Sequence, residues 1–170
     1  MLNKIKKIFV FAAVFIFISN FNTGKILAHD SCEKKYTVNE HKTNGHEAPH
    51  GGCLNVMQNC EFGHAEVKVT GETIEIWFVG GGTETSKAVR IKDNDIKLEI
   101  VISGMKEKKE LILKADPIVL AEEAVGDCSH FVGSDPSLKI DSLKFKATAK
   151  VNFKGILMDV KIAYPEGIDD

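Results

Sequence analysis

The sequence lacks an apolar run long enough to cross a membrane. Its longest run, at residues 8–18, contains eleven residues, whereas a membrane-spanning helix needs roughly 20. Three lysines at positions 4, 6 and 7 precede this run, and a more polar stretch after it ends at Ala28. A charged start, a short apolar centre and a small residue before the cleavage point are typical of a signal peptide. The sequence therefore predicts a cleaved signal peptide at residues 1–28, no membrane span in the mature chain, and a periplasmic or secreted protein.

The chain also lacks an excess of basic residues. Residues 1–28 contain four lysines and no acidic residue, so the mature chain has 18 basic and 24 acidic residues and a formal net charge of −6. A surface with this balance repels a phosphate backbone, which excludes nucleic acid as an expected partner. The remaining 142 or so residues fit one domain with its own hydrophobic core.

A long helical period and internal repeats are absent as well. From Leu54 onward, short segments of alternating apolar and polar residues are separated by turn residues, as in antiparallel strands. The predicted strands are 64–70, 73–79, 96–103, 110–114, 143–153 and 156–164, with weaker candidates at 87–92 and after Pro117. The pattern predicts an all-β domain at residues 52–165, built as an immunoglobulin-like antiparallel two-sheet sandwich, with a small barrel as the alternative. A polar arm at 29–51, containing four of the six histidines and expected to be flexible, precedes it, and an acidic tail at 166–170 follows.

No complete catalytic set is visible in the sequence. Cys128 and His130 resemble a nucleophile and a base, but side chains two residues apart on an extended chain start about 7 Å apart. The segment is expected to be a loop, and no third group stands near to orient the histidine. We therefore expect that the protein is not an enzyme.

What the sequence does contain is a cluster of potential metal ligands. Imidazole, thiolate and carboxylate groups are the usual ligands of zinc and copper. His64 and Glu66 lie two apart on a predicted strand and so project from one face, opposite Ala65. The glycines at 51 and 52 allow the preceding chain to fold back over that face. The candidate ligands are His46, His50, Cys53, Cys60, His64, Glu66 and His130. The alternative is that these are solvated polar residues of the arm and of an outer sheet face.

Two sequence segments carry a resemblance to a known group of proteins. The segment at 48–52, Ala-Pro-His-Gly-Gly, is followed at 63–67 by Gly-His-Ala-Glu-Val. This order resembles a His-Gly-Gly then His-x-Glu pattern in small exported proteins and in domains of periplasmic adaptor subunits of heavy-metal efflux systems. The later stretch 131–138, with 153–155, resembles the second half of the same proteins. The resemblance implies a β-rich extracytoplasmic domain that binds a transition metal through His50, His64 and Glu66; Cys53 and Cys60 depart from the pattern.

The four cysteines, Cys32, Cys53, Cys60 and Cys128, allow two interpretations. In an oxidising compartment they favour pairing, and two disulfides among four cysteines have three possible connectivities. Alternatively, reduced thiolates join the histidines around a soft ion such as Cu(I), with Met57 as a thioether donor.

These observations lead to two functional hypotheses of different class. The first is an extracytoplasmic protein that buffers, transfers or senses a copper- or zinc-like ion, with a periplasmic efflux adaptor as a possible partner. The second is a disulfide-stapled interaction or structural module whose histidines bind no metal.

Overall fold

The computed structural model describes residues 46–169. The predicted signal peptide, the arm up to residue 45 and Asp170 lie outside the described residues. The described end of the predicted arm, residues 46–51, lies against the folded domain, and its His46 is buried.

Eight β-strands make up the described chain, together with three single 3-10 turns. Each strand is short, and most alternate between buried and exposed positions. The strands are β1 (Cys53–Val56), β2 (Gly63–Thr70), β3 (Thr73–Gly80), β4 (Asp95–Ile102), β5 (Lys109–Ala115), β6 (His130–Ser134), β7 (Phe145–Phe153) and β8 (Ile156–Tyr164). The 3-10 turns are Gly82–Glu84, Val119–Ala121 and Pro136–Leu138.

All eight strands belong to one antiparallel sheet in the order β1-β2-β3-β6-β5-β4-β7-β8. The prediction of an all-β antiparallel domain is confirmed. The single sheet matches the small barrel, which was the alternative prediction. The predicted two-sheet sandwich is not confirmed, because the strand order shows one sheet. β6 makes the difference, because it pairs with both β3 and β5 and so joins the two halves.

The sheet curls until its first and last strands approach each other. The Asn55 side chain of β1 accepts a hydrogen bond from the Ala163 N–H of β8 at 2.8 Å. Beyond β8 the chain turns back, and Ile168 pairs with β1 in parallel through Val56 N–H (2.9 Å) and Leu54 C=O (3.2 Å). The barrel is thus nearly closed, with the C-terminal segment filling part of the seam between β1 and β8.

The interior of the barrel is apolar because every strand contributes one face of its alternation. Phe78, Phe131 and Phe153 are fully buried there, and the ring centroid of Phe78 lies 5.9 Å from that of Phe131 and 6.1 Å from that of Phe153. A second, smaller cluster lies on the outer face and consists of Leu54, Trp77 and Val79, with Ala48 of the arm packed on it. This outer cluster explains why part of the sheet is buried on both faces.

The strand predictions are confirmed for β2, β3, β4, β5, β7 and β8 to within a few residues at their ends. The predicted strand after Pro117 is wrong: that segment contains a 3-10 turn, and Leu120 is fully exposed. The weaker candidate at 87–92 forms only isolated bridges. The expected loop at 128–130 is correct for Cys128 and Ser129, which precede β6, and wrong for His130, where β6 begins. Among residues 46–169, no helix has the length and apolar character to cross a membrane.

Candidate functional site

The candidate site is built on a row of residues that lie side by side across four strands. The register pairs Leu54 of β1 with Glu66 of β2, Glu66 with Trp77 of β3, and Trp77 with His130 of β6. All four side chains project from the outer face, because their strand neighbours Ala65, Ile76 and Phe131 belong to the interior core. The predicted common face of His64 and Glu66 is therefore confirmed.

Glu66 attaches the arm to this face. Its side chain is fully buried. One carboxylate oxygen, Oε1, accepts hydrogen bonds from the backbone N–H groups of His50 (2.8 Å) and Gly52 (2.9 Å). The other, Oε2, accepts one from Nδ1 of His50 at 2.8 Å. A buried carboxylate needs this many donors, so Glu66 serves here to hold the segment 50–52 in place.

The two positions of the His-Gly-Gly segment that carry glycine each require it, for different structural reasons. Gly51 has a φ of +73°, in the left-handed region, and closes a turn in which its N–H donates to Ala48 C=O at 3.2 Å. The φ of Gly52 lies outside the left-handed region, but a Cβ there would lie 2.5 Å from the carbonyl oxygen of Val67. One glycine allows the turn and the other allows the arm to approach β2 closely.

Trp77, the single tryptophan of the chain, lies between two imidazoles. The ring centroids of His50 and Trp77 are 4.4 Å apart with an interplanar angle of 7°. Those of Trp77 and His130 are 4.5 Å apart at 5°. Because Glu66 and His130 flank Trp77 on opposite sides in the row, His50 and His130 cover opposite faces of the indole. Stacking of this kind fixes all three rings.

His46 and His64 form a second pair of imidazoles near the end of β2. Their ring centroids are 5.2 Å apart, and the rings are edge-on at 80°. Nδ1 of His64 lies 3.1 Å from the carbonyl oxygen of Gly80. A carbonyl only accepts, so this nitrogen carries the proton and, in the neutral ring, Nε2 carries the lone pair. Nδ1 of His46 is buried and has no hydrogen-bond partner among residues 46–169.

The remaining predicted ligands lie elsewhere. His130 is separated from the arm by Trp77, and its ring nitrogens lie 3.5 Å from Glu75 and 3.3 Å from Asp116. Cys53 points into the barrel and so lies on the opposite face of β1 from the histidines. Burial raises the pKa of the Cys53 thiol to about 11, which disfavours the thiolate that a metal would require.

Cys128 is a free, buried thiol like Cys53. Burial also raises the pKa of Cys128. Cys60 is buried as well and is not one of the free thiols. Its carbonyl accepts a hydrogen bond from the Gly82 N–H at 2.8 Å, which joins the β1–β2 connection to the glycines after β3. A pairing of Cys53 with Cys128 does not occur.

Comparisons of the chain with protein-family models, curated proteins and solved structures give no match. The resemblance of the two sequence segments therefore stays a prediction. In the structure, the second of these segments forms a strand and a turn. Residues 131–134 are part of β6, and Asp135 caps the following 3-10 turn by accepting a hydrogen bond from Ser137 N–H at 2.8 Å.

Within residues 46–169, no three His, Cys, Asp or Glu side chains converge closely enough to surround a metal ion. The structure brings together His46 with His64, and His50 with Glu66. The sequence analysis did not single out Trp77 as a site residue. The signal was present, because Trp77 alternates with Ile76 and Phe78 and so lies on the outer face.

Proposed function

We propose that this chain binds a copper- or zinc-like ion outside the cytoplasm and buffers, transfers or senses that ion. The observation that carries the proposal is the edge-on pair of His46 and His64, with a buried nitrogen of His46 that has no hydrogen-bond partner in the described part of the chain. Buried polar atoms are nearly always paired, so an unpaired one calls for an explanation. A bound cation supplies one.

The spacing of the two rings fits a shared ion. Imidazole nitrogens bind zinc at roughly 2.0–2.1 Å, and two rings on one tetrahedral ion then have centroids on the order of 5 Å apart. The observed separation is 5.2 Å. The hydrogen bond from Nδ1 of His64 to Gly80 C=O fixes the ring in the way that backbone carbonyls commonly fix metal-binding histidines.

Glu66 is a positioning residue in this proposal. Its oxygens already accept three hydrogen bonds from residues 50–52. Through them it orients His50 and keeps the arm, which carries His46, against β2. Water or a further side chain completes the coordination of the ion, because two imidazoles leave positions open. A periplasmic efflux adaptor is the partner that the sequence resemblance implies.

The test compares three histidine variants of the exported chain. Bound metal is measured by mass spectrometry after dialysis against zinc or copper, and affinity by calorimetry. We expect close to one ion per chain, and at least about tenfold weaker binding in His46→Ala and in His64→Ala, because each removes a ligand. His130→Ala is the matched control, since it removes an imidazole from the same face beyond Trp77 and should bind normally. Unchanged affinity in the first two variants would mean that the ion does not bind at His46 and His64, and an unmodified chain that retains no ion would favour an interaction module without metal.

A further inference from the structure

The outer edge of β8, the last strand of the barrel, has backbone groups that bond to no other strand among the described residues. β7 and β8 are joined by the two-residue turn Lys154-Gly155, in which both residues have positive φ (51° and 81°). In such a hairpin the flanking pair, Phe153 and Ile156, exchanges both backbone hydrogen bonds, and every second pair does so thereafter. The even-numbered residues of β8 therefore bond to β7, and the odd-numbered residues direct their N–H and C=O groups away from it.

Within the part of the chain that the structure describes, the partners of this edge bind at its C-terminal end, at Ala163. Ala163 donates its N–H to the Asn55 side chain and accepts from the Gly167 N–H, each at 2.8 Å. β1 has four residues and β8 has nine, so β1 does not extend along the rest. Among the described residues, no hydrogen bond joins the outward backbone groups of Leu157, Asp159 or Lys161 to another strand, and Leu157 is 71% exposed.

A cleft of about 460 Å³ lies beside this part of the edge and separates it from the C-terminal segment. Its lining is both apolar (Val56, Ile156, Met158, Ile168) and polar (Gln58, Asp159, Lys161, Asp169). Strand backbone without a strand partner is the arrangement to which a further strand adds. Ile156 is itself 52% exposed.

The charges on this edge point to one occupant. Asp159 and Lys161 are exposed and take part in no ion pair within residues 46–169. In an antiparallel pairing of two copies of β8 related by a two-fold axis at Val160, Asp159 of each copy lies opposite the second copy's Lys161. Both residues have outward backbone groups, so the two pairs also exchange four backbone hydrogen bonds.

We propose that the edge of β8 at residues 157–161 associates with the same edge of a second copy of this chain, as a two-fold antiparallel pair. The sequence is self-complementary in this register, because oppositely charged side chains stand directly across from each other. The contact is short, so the association is weak and reversible rather than obligate. The contact uses residues of β8 and none of the candidate metal ligands, so it does not depend on metal binding.

Sedimentation equilibrium of the exported chain at rising concentration tests this proposal. We expect reversible dimerisation that weakens with salt. Asp159→Lys and Lys161→Asp each place like charges opposite one another and should weaken the dimer by roughly 2- to 30-fold. The double variant Asp159→Lys/Lys161→Asp restores the pairing with exchanged signs and should dimerise like the unmodified chain. Lys106→Asp, an equal charge reversal in an exposed loop, is the control and should change nothing.

Two outcomes would overturn the proposal. One is an unmodified chain that stays monomeric up to millimolar concentration. The other is a dimer that the double variant fails to restore while circular dichroism shows that it is folded, because the contact would then not depend on Asp159 facing Lys161.

Discussion

At the scale of single residues, Glu66 matters most to the candidate site. It is a fully buried carboxylate, and every hydrogen bond that it accepts comes from residues 50–52. The sequence correctly placed it beside His64 on the outer face of a strand. It did not reveal that both oxygens are occupied, since hydrogen bonds between residues sixteen apart depend on how the arm folds back. A ligand and a positioning residue look alike in sequence.

We expect Glu66→Ala to release the arm and destabilise the protein. The backbone N–H groups of His50 and Gly52 lose their acceptor, and each unsatisfied buried donor costs about 1–3 kcal/mol unless the segment moves into water. Since Ala48 and His50 cover Trp77, the tryptophan becomes more exposed. The measurements are urea unfolding and the wavelength of the tryptophan emission, which should shift to the red.

Glu75→Ala is the control for this change. Glu75 lies on the same outer face of β3, but among the described residues it makes no hydrogen bond or ion pair with the arm, and its carboxylate lies 3.5 Å from His130. An emission spectrum in Glu66→Ala that matches that of the control would show that Glu66 does not hold the arm.

At the scale of elements, the strands with regular alternation were predictable and the irregular ones were not. β8 was predicted with its observed bounds because apolar and polar residues alternate along its whole length. β1 and β6 have four and five residues, too few for a period to be recognised. β6 is also mostly buried on both faces, because His130 packs under Trp77, and a strand of this kind does not alternate.

The 3-10 turn Pro136–Leu138 shows how one side chain sets the end of an element. Asp135 accepts hydrogen bonds from Ser137 N–H (2.8 Å), Ser137 Oγ (2.5 Å) and Lys109 Nζ (2.6 Å). The interaction with Lys109, followed by that with Ser137, lowers the pKa of Asp135 from 3.8 to about 2. The turn and β5 are thereby joined by one carboxylate.

We expect Asp135→Ala to cost about 1 kcal/mol of stability at neutral pH, the usual value of a lost capping side chain. Because the pKa of Asp135 in the folded state is below its unfolded value, the stabilisation is fully present above pH 4 and is lost as the pH falls through 2. Urea unfolding between pH 7 and pH 2 should show the difference from the unmodified protein narrowing over that interval. Asp141→Ala, at a nearby exposed carboxylate, is the control; a difference that does not change with pH would contradict the explanation.

At the scale of the whole molecule, the sequence predicted the class but not the closure. The alternation of apolar and polar residues identifies which face of a strand is buried. Strands of a sandwich and strands of a barrel show the same alternation, so the pattern does not distinguish the two folds. The distinction depends on β6 pairing with both β3 and β5, and on contacts between β1 and the end of β8. These are long-range pairings that no local pattern encodes. The C-terminal segment at 166–169 likewise joins the barrel through Ile168 although its composition indicated only an acidic tail.

Asn55 is the polar residue that joins the two ends of the sheet, and its replacement tests the closure directly. It is fully buried on the inner face of β1, where its Nδ2 donates to Cys53 C=O and Ala65 C=O, each at 3.3 Å. Its Oδ1 accepts the Ala163 N–H of β8 at 2.8 Å. Asn55→Ala leaves that part-buried N–H without an acceptor, which costs about 1 kcal/mol or more, and adds a small cavity. We expect lower stability in urea and faster hydrogen exchange at Ala163, while the stacked Trp77 keeps its emission because it lies on the outer face.

Asn152→Ala, on the half-buried outer side of β7, is the control and should have little effect on either measurement. Unchanged exchange at Ala163 in Asn55→Ala would mean that the C-terminal segment alone closes the barrel, through its pairing with Leu54 and Val56.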